Sequence, residues 1–396
     1  MRDRRLWTLL LIPAFALAAC EQPTSTTTGV APAEGTTASA SAGSDAGTAP
    51  AGPCDVTVDG QAGETIQDAI DAASGGETIC VEPGTYDENV SVDQAVTLQG
   101  RTAPRGGNPA TIDGWVSLDA DGSALRRMAV TRSEDITPQT PDPFGVRVTA
   151  SNTVVAGNVV SSLIGETSMW GAINAIQVFG ADALSNIEIR DNVVSDLRND
   201  VIGGVAGIKL QADLDGVTVS GNRVTDLHAA GWGWGVVLTG SSSADDHPKD
   251  VAVVENTMAR INDGSVYDVF DDESEYEFFP DAEEGRNGTP FPGSAFGIDT
   301  GAEADEATVE RNNLLAPNGV ESKDPDDALV ATCNWWGDRS GPTHADNSGG
   351  DGAWALERGG ATVDYTPWLN APAPSHACVG GQKPDRGGGP PGNGGS

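Results

Sequence analysis

The sequence predicts an all-β fold in which short strands coil into a stacked solenoid, closed at its N-terminal end by one helix. Three observations carry this expectation. Two short β patterns recur in step along the middle of the chain. An amphipathic segment stands immediately before the first strands. The composition, with 51 Gly and 24 Pro in 396 residues and 38% hydrophobic side chains, favours tight turns over long helices. The length suffices for a large core, and a helical bundle is excluded.

In chain order, residues 1–19 read as an export signal. Arg2, Arg4 and Arg5 form its charged start, Leu6 to Leu17 its apolar run, and Leu17-Ala18-Ala19-Cys20 the processing site. The run contains Pro13 and is too short to span a bilayer permanently. The Leu-Ala-Ala-Cys string resembles a prokaryotic lipoprotein box, which implies a lipid on Cys20 and an exported, lipid-anchored chain at the cell surface or in the periplasm. Residues 20–53, rich in Thr, Ser, Ala and Pro, bury too little to fold and read as a tether. The remaining four cysteines fall into pairs. In an oxidising compartment, Cys54–Cys80 and Cys333–Cys378 set one disulfide near each end of the folded region, residues 54–379. Residues 380–396 are Gly/Pro-rich and read as a disordered tail.

Within the folded region, Ile66, Ala69, Ile70 and Ala73 share one helical face, and Gly75-Gly76 stops the helix. Ile79, Val81, the Pro83-Gly84 turn, Val90, Val92, Val96 and Leu98 then supply strands and turns. The first repeat pattern is a β-branched run broken by asparagine: TVVAGNVVSSL, IEIRDNVVSDL, VTVSGNRVTDL, VAVVENTMARI and ATVERNNLLAP. Its asparagines are Asn158, Asn192, Asn222, Asn256 and Asn312, at intervals of 34, 30, 34 and 56. The second pattern, GVRV, AIQV, GIKL, GVVL and GIDT, starts at Gly145, Ala175, Gly207, Gly235 and Gly297. Such segments cannot bury an inner face alone and must stack on one another. The shared long interval marks an insertion around residues 265–293. The asparagines are expected to pile into an internal ladder, as they do in stacked sheets.

Segments 65–100 and the repeats resemble the right-handed parallel β-helix proteins of the pectin-lyase-like superfamily, over about residues 55–375. That resemblance implies a capping helix before the first coil. The closing stretch CNWWGDRSGPTHADNSGG resembles the end segment of many surface β-helices, where Trp335-Trp336 would cover the last coil and Cys333–Cys378 would pin it. The fold hosts many activities, so function has to come from the site.

Alternation along the four-residue strands puts Arg147, Gln177, Lys209, Val237 and Asp299 in one outward column. The loops before those strands stack beside it and carry Glu166, Trp170, Asn174, Arg198, Asp200, His228, Trp232, Trp234 and Tyr267. Indole rings hold sugar faces well, being flat and apolar with a polar edge. Arg147, Trp170, Gln177, His228, Trp232 and Trp234 are therefore the expected binding residues for an extracellular polysaccharide; covering the coil is the plainer use of the tryptophans. Polysaccharide lyases of the superfamily abstract a proton beside a uronate with a cationic residue, often aided by Ca2+. Carried onto this chain, the resemblance implies Lys209 as base with Arg198 or Arg223 nearby, and Glu166 and Asp200 helping to hold calcium. The Gly-His-Gly and Arg-Ile-Lys of polygalacturonases are absent, and Asp245-Asp246-His247-Pro248 is a poor match to the Asp-Pro-His-Asp of alginate epimerases. The few scattered His and Met residues assemble no copper site.

Charge limits the partners. With 58 Asp+Glu against 22 Lys+Arg, the net charge is −36, which argues against nucleic acid and leaves the lipid as the only membrane contact. Acid excess with scarce lysine resembles proteins of salt-loving organisms. The insertion Tyr267 to Gly285 is densely acidic and also bears Tyr267, Phe270, Tyr276, Phe278 and Phe279, so it reads either as a solvated loop or as a lid. The rival to polysaccharide binding is a rigid surface or adhesion spacer with no ligand.

Overall fold

The computed structural model describes residues 53–60, 63–101, 109–140, 143–167, 171–180, 182–200, 203–229, 231–239, 248–262, 295–300, 307–325, 328–373 and 378. The expected export signal, Cys20, nearly all of the expected tether, Trp170, the whole acidic insertion with Tyr267, and the expected tail lie outside them. No helix among the described residues is long and apolar enough to cross a membrane.

The protein is a right-handed parallel β-helix. Each coil contributes one strand to each of three parallel sheets, as in Leu184–Arg190, Val193–Asn199 and Gly204–Gln211, before Leu214–Ser220 begins the next turn. Among the described residues the sheets hold 11, 8 and 10 strands, called here first, second and third in the order the chain visits them. Their registers place Ile187 beside Val217, Val194 beside Val224 and Ile208 beside Val236, so β-branched side chains stack in buried columns. Full burial of each such side chain is worth about 1.5–3 kcal/mol.

The turn from the first to the second sheet explains the asparagine pattern. Residues Gly157, Asp191, Gly221, Glu255, Arg311 and Cys333 all adopt left-handed backbone, with φ between 55° and 67°. That conformation turns the chain sharply and aims the next residue, asparagine, inward. Asn158, Asn192, Asn222, Asn256 and Asn312 are at most 1% exposed. Each donates through its backbone N and its Nδ2 to the Oδ1 of the asparagine one coil on, at 2.8–3.0 Å. The Nδ2 groups also reach buried carbonyls such as Ile189 O at 2.8 Å. A sixth rung, Asn334, ends the ladder by donating to Val309 O and Ala331 O, each at 2.7 Å.

Both ends are closed. The helix Ile66–Ala72 starts at Thr65, whose hydroxyl accepts from Asp68 N at 2.9 Å, and buries Ile66 and Ile70 on the first coil. Glu88 accepts from the N–H groups of Ile66 and Gln67, satisfying two otherwise orphaned donors. The helix stops at Ala73, ahead of the expected Gly75-Gly76, because the Ala73 N–H already turns back to Ile70 O. At the other end Trp336 is fully buried and Tyr365 packs on Trp368, with ring centroids 6.2 Å apart. The disulfides Cys54–Cys80 and Cys333–Cys378 pair as expected.

Candidate functional site

The outer face of the third sheet carries the column expected from the sequence. Arg147, Gln177, Lys209, Val237 and Asp299 occupy successive strands in register, and Glu321 extends the column by one coil. A second outward column lies on its N-terminal side: Asn174, Ala206, Trp234, Phe296, Asn318 and Trp354. Between the two columns the ladder skips Ala175, Gly207, Gly235 and Gly297. There the backbone slips by one residue and turns these positions inward. A Cβ at Gly207 would lie 2.4 Å from Val224 Cγ1 of the second sheet, which is why glycine recurs.

Trp232 and Trp234 lie within the strand Trp232–Thr239, and not in a loop as expected from Gly-Trp-Gly-Trp-Gly. The glycines make the strand feasible, since Gly233 and Gly235 face Ile261 and Met258, where a Cβ would approach within 2.9 Å and 2.5 Å. The two indoles are then left outside, stacked with centroids 6.4 Å apart and planes 14° apart. Below them Gly204 leaves room for the Trp234 ring, because a Cβ at Gly204 would sit 2.5 Å from Cζ3. Together with Asn174, Ala206, Lys209, Val237, Asp299 and Lys323 the indoles line a cleft of about 380 Å³.

Charge in this cleft is divided into a paired part and an unpaired part. Asp299 and Glu321 are neighbours in register, and their side chains are only 5% and 2% exposed. Two buried carboxylates side by side would repel strongly. Here Lys323 Nζ bridges them, at 2.8 and 3.0 Å from the Asp299 oxygens and 2.8 Å from Glu321 Oε2. Arg358 holds the other Glu321 oxygen, and Trp234 Nε1 donates to Asp299 Oδ2 at 3.1 Å. Burial works to lower the Lys323 ammonium, but the charges of Asp299 and Glu321 outweigh it and hold its pKa above the ordinary value.

Lys209 is the unpaired part. It has no hydrogen-bond or ion-pair partner among the described residues, and Val237 separates its strand position from Asp299. Burial alone pushes its ammonium below the usual lysine range. Asn174 adds a second unmet group to the same cleft: it is 4% exposed and its Oδ1 accepts no hydrogen bond from the described residues.

The structure brings together only some of the residues expected at the site. Lys209, Trp232 and Trp234 share the cleft; Gln177 and Arg147 continue the column away from it, with the Arg147 guanidinium 4.5 Å above the Phe144 ring. Arg198 and His228 are not on loops beside the cleft. They stand level with each other within strands of the second sheet, because those strands run on to Asn199 and Ala229. Arg223 begins its second-sheet strand, away from Lys209. Asp200 pairs with Arg198, and Glu166 is exposed after the strand Val159–Gly165. No group of three His, Cys, Asp or Glu side chains converges as metal ligands among the described residues. Asp299, Glu321, Lys323 and Arg358 were missed as a network. The outward position of Asp299 was readable, but Lys323 reaches Asp299 and Glu321, and Arg358 reaches Glu321, from just past the strand ends, where alternation gives no guide.

Fold and cleft define the chain as a parallel β-helix protein with an aromatic, cation-bearing cleft on its third sheet. No family model and no curated protein sequence matches it. Among solved structures it is similar to a pectin methylesterase from Aspergillus niger, at 14% identity and a TM-score of 0.43, over 80% of this chain and 87% of that one. It is also similar to a pectin methylesterase from Erwinia chrysanthemi, at 12% identity and a TM-score of 0.33, over 53% and 80%. At these values the likeness says nothing about chemistry.

Proposed function

We propose that this is an exported, lipid-anchored protein that binds an acidic polysaccharide in the third-sheet cleft. The observation that carries the reading is Lys209, a partly buried cation without a counter-charge among the described residues, sharing one cleft with the stacked Trp232 and Trp234. A uronic acid residue complements both. Its carboxylate supplies the missing charge, and its ring offers the apolar face that indoles take up. The acids of the cleft do not oppose this, because Lys323 and Arg358 already hold them. Export is supported by the two disulfides, which fit an oxidising compartment, and the anchor by Leu17-Ala18-Ala19-Cys20.

Cleavage by β-elimination is the finer form of this reading. Its support is the lowered Lys209 pKa, which raises the share of free amine available as a base. The test is titration calorimetry of the protein with uronic-acid polymers and neutral polysaccharides at high salt, with ultraviolet absorbance of the unsaturated product followed in parallel. Uronate polymers are expected to bind, and Lys209→Met and Trp234→Ala each to weaken them by about tenfold or more. Equal, weak heats from charged and neutral polymers in all three proteins would overturn binding and leave a rigid spacer. Binding without unsaturated product across alkaline pH would remove the cleavage step alone.

A further inference from the structure

We infer that the binding surface continues past the cleft along the third sheet to Trp354, and that its occupant is one acidic oligosaccharide chain covering both places. The inference rests on the reading of the cleft given above. Trp354 lies in the strand Gly352–Glu357 with 43% of its surface open, one of the few large apolar side chains so exposed among the described residues. Register ties it to the cleft, since Trp234 pairs with Phe296, Phe296 with Asn318 and Asn318 with Trp354. Three strand spacings place it about 14 Å from Trp234 along the solenoid axis. Both rings project from one hydrogen-bonded sheet, so their separation is fixed before any ligand arrives. That is the preorganisation a multi-residue ligand exploits.

The surface between the two rings has the right charge for this occupant. Beside it lie Asp299 and Glu321, but these carboxylates are buried under their partners, with 5% and 2% of each side chain exposed. What remains open is cationic: 38% of the Lys323 side chain and 51% of Arg358. At this cluster an approaching carboxylate therefore meets ammonium and guanidinium groups before it meets acid, and Glu357, at the end of the Trp354 strand, is paired with His344 Nε2 at 3.4 Å. On a chain of net charge −36 this is a local exception, and it lies just past the C-terminal ends of the strands that carry Asn318 and Trp354. Phe296, 4% exposed, forms the floor beneath Lys323, whose Nζ is 5.8 Å from the ring centroid. The path thus has an apolar anchor at each end and cations along one side.

The experiment is titration calorimetry of the full chain with a uronic-acid trisaccharide and octasaccharide, and with a neutral octasaccharide as control. In the wild type the acidic octasaccharide is expected to bind at least about tenfold more tightly than the trisaccharide. In Trp354→Ala that ratio falls to about one, and Trp354→Phe, which keeps a ring, restores part of it. A ratio undiminished in Trp354→Ala, with Trp234→Ala weakening both ligands, overturns the extension while leaving the cleft intact. Failure of the wild type to bind either acidic ligand overturns the cleft reading itself. Equal binding of the neutral and acidic octasaccharides overturns the acidic occupant.

Discussion

The asparagine ladder inside the solenoid and the outward column on its third sheet use the same coil-to-coil spacing to opposite ends. Inside, one residue type repeats from Asn158 to Asn334, and each amide meets its copy one coil away. Outside, Arg147, Gln177, Lys209, Val237, Asp299 and Glu321 succeed one another, and no neighbour repeats. Stacking makes the next coil the partner of each side chain. Repetition therefore produces saturation, while variation produces a junction where partners run out. Val237 is that junction: the acids beyond it are shared between two cations, and Lys209 on its other side has no partner among the described residues. Stability is concentrated where residues match, and the proposed binding where they do not.

Breaking the matched column should have the largest effect. Asn222→Ala strands the Asn192 backbone N–H and the Ile189 carbonyl inside the coil, and should cost about 4 kcal/mol in denaturant unfolding. Lys323→Met, which leaves Asp299 and Glu321 facing each other, should cost about 2–3 kcal/mol, the half-open lysine holding the value below that of a fully buried pair.

The unmatched column should respond in the other direction. Lys209→Met removes an ammonium that burial disfavours and should stabilise the protein by up to about 1 kcal/mol while weakening uronate binding. Because the folded pKa lies below the unfolded 10.5, the unfolded chain holds more protons between the two values. Wild-type stability should then rise with pH in that window and the gap to Lys209→Met should close, as thermal melts at several alkaline pH values would show. A melt difference independent of pH would mean that the ammonium is not penalised. Gly204→Ala should barely change stability yet lower ligand affinity several-fold, because the added Cβ pushes on Trp234. The smallest effect belongs to the second sheet, where Arg260 holds Asp226 and lowers its pKa to about 2. Arg260→Ala should cost under about 1 kcal/mol above the ordinary aspartate value of 3.8, with the difference fading as pH falls toward 2, both side chains being well exposed.

Much of the coil was legible because its signals are periodic. Five of the six ladder asparagines stand out by spacing. Asn334 does not, since it follows Asn312 by only 22 residues and sits inside the Cys-Asn-Trp-Trp closing motif. The column through Lys209 follows from simple alternation. The column through Trp234 does not, because at Ala175, Gly207, Gly235 and Gly297 the chain turns two successive residues inward. Counting by twos from Lys209 therefore sends Ala206 to the wrong face. Arg198 and His228 were misplaced for a related reason: their segments contain Gly, Asn and Asp and read as loops, yet they continue as strands with left-handed residues at Asp196 and Asp226.

The ladder has a consequence for how such a protein can change over generations. Asn256 and Asn312 are 56 residues apart, Asn312 and Asn334 only 22, yet both pairs make the same contacts at 2.8–3.0 Å. The interior registers the number of coils and is blind to the number of residues in each. A lineage can therefore lengthen a connection between the second and third sheets freely, as between Ile261 and Ala295, without disturbing a single rung. Removing the asparagine itself, by contrast, would leave the amide of the preceding coil facing nothing. Lengthening and shortening should both fall in the connections, and a rung should be lost only together with its whole coil.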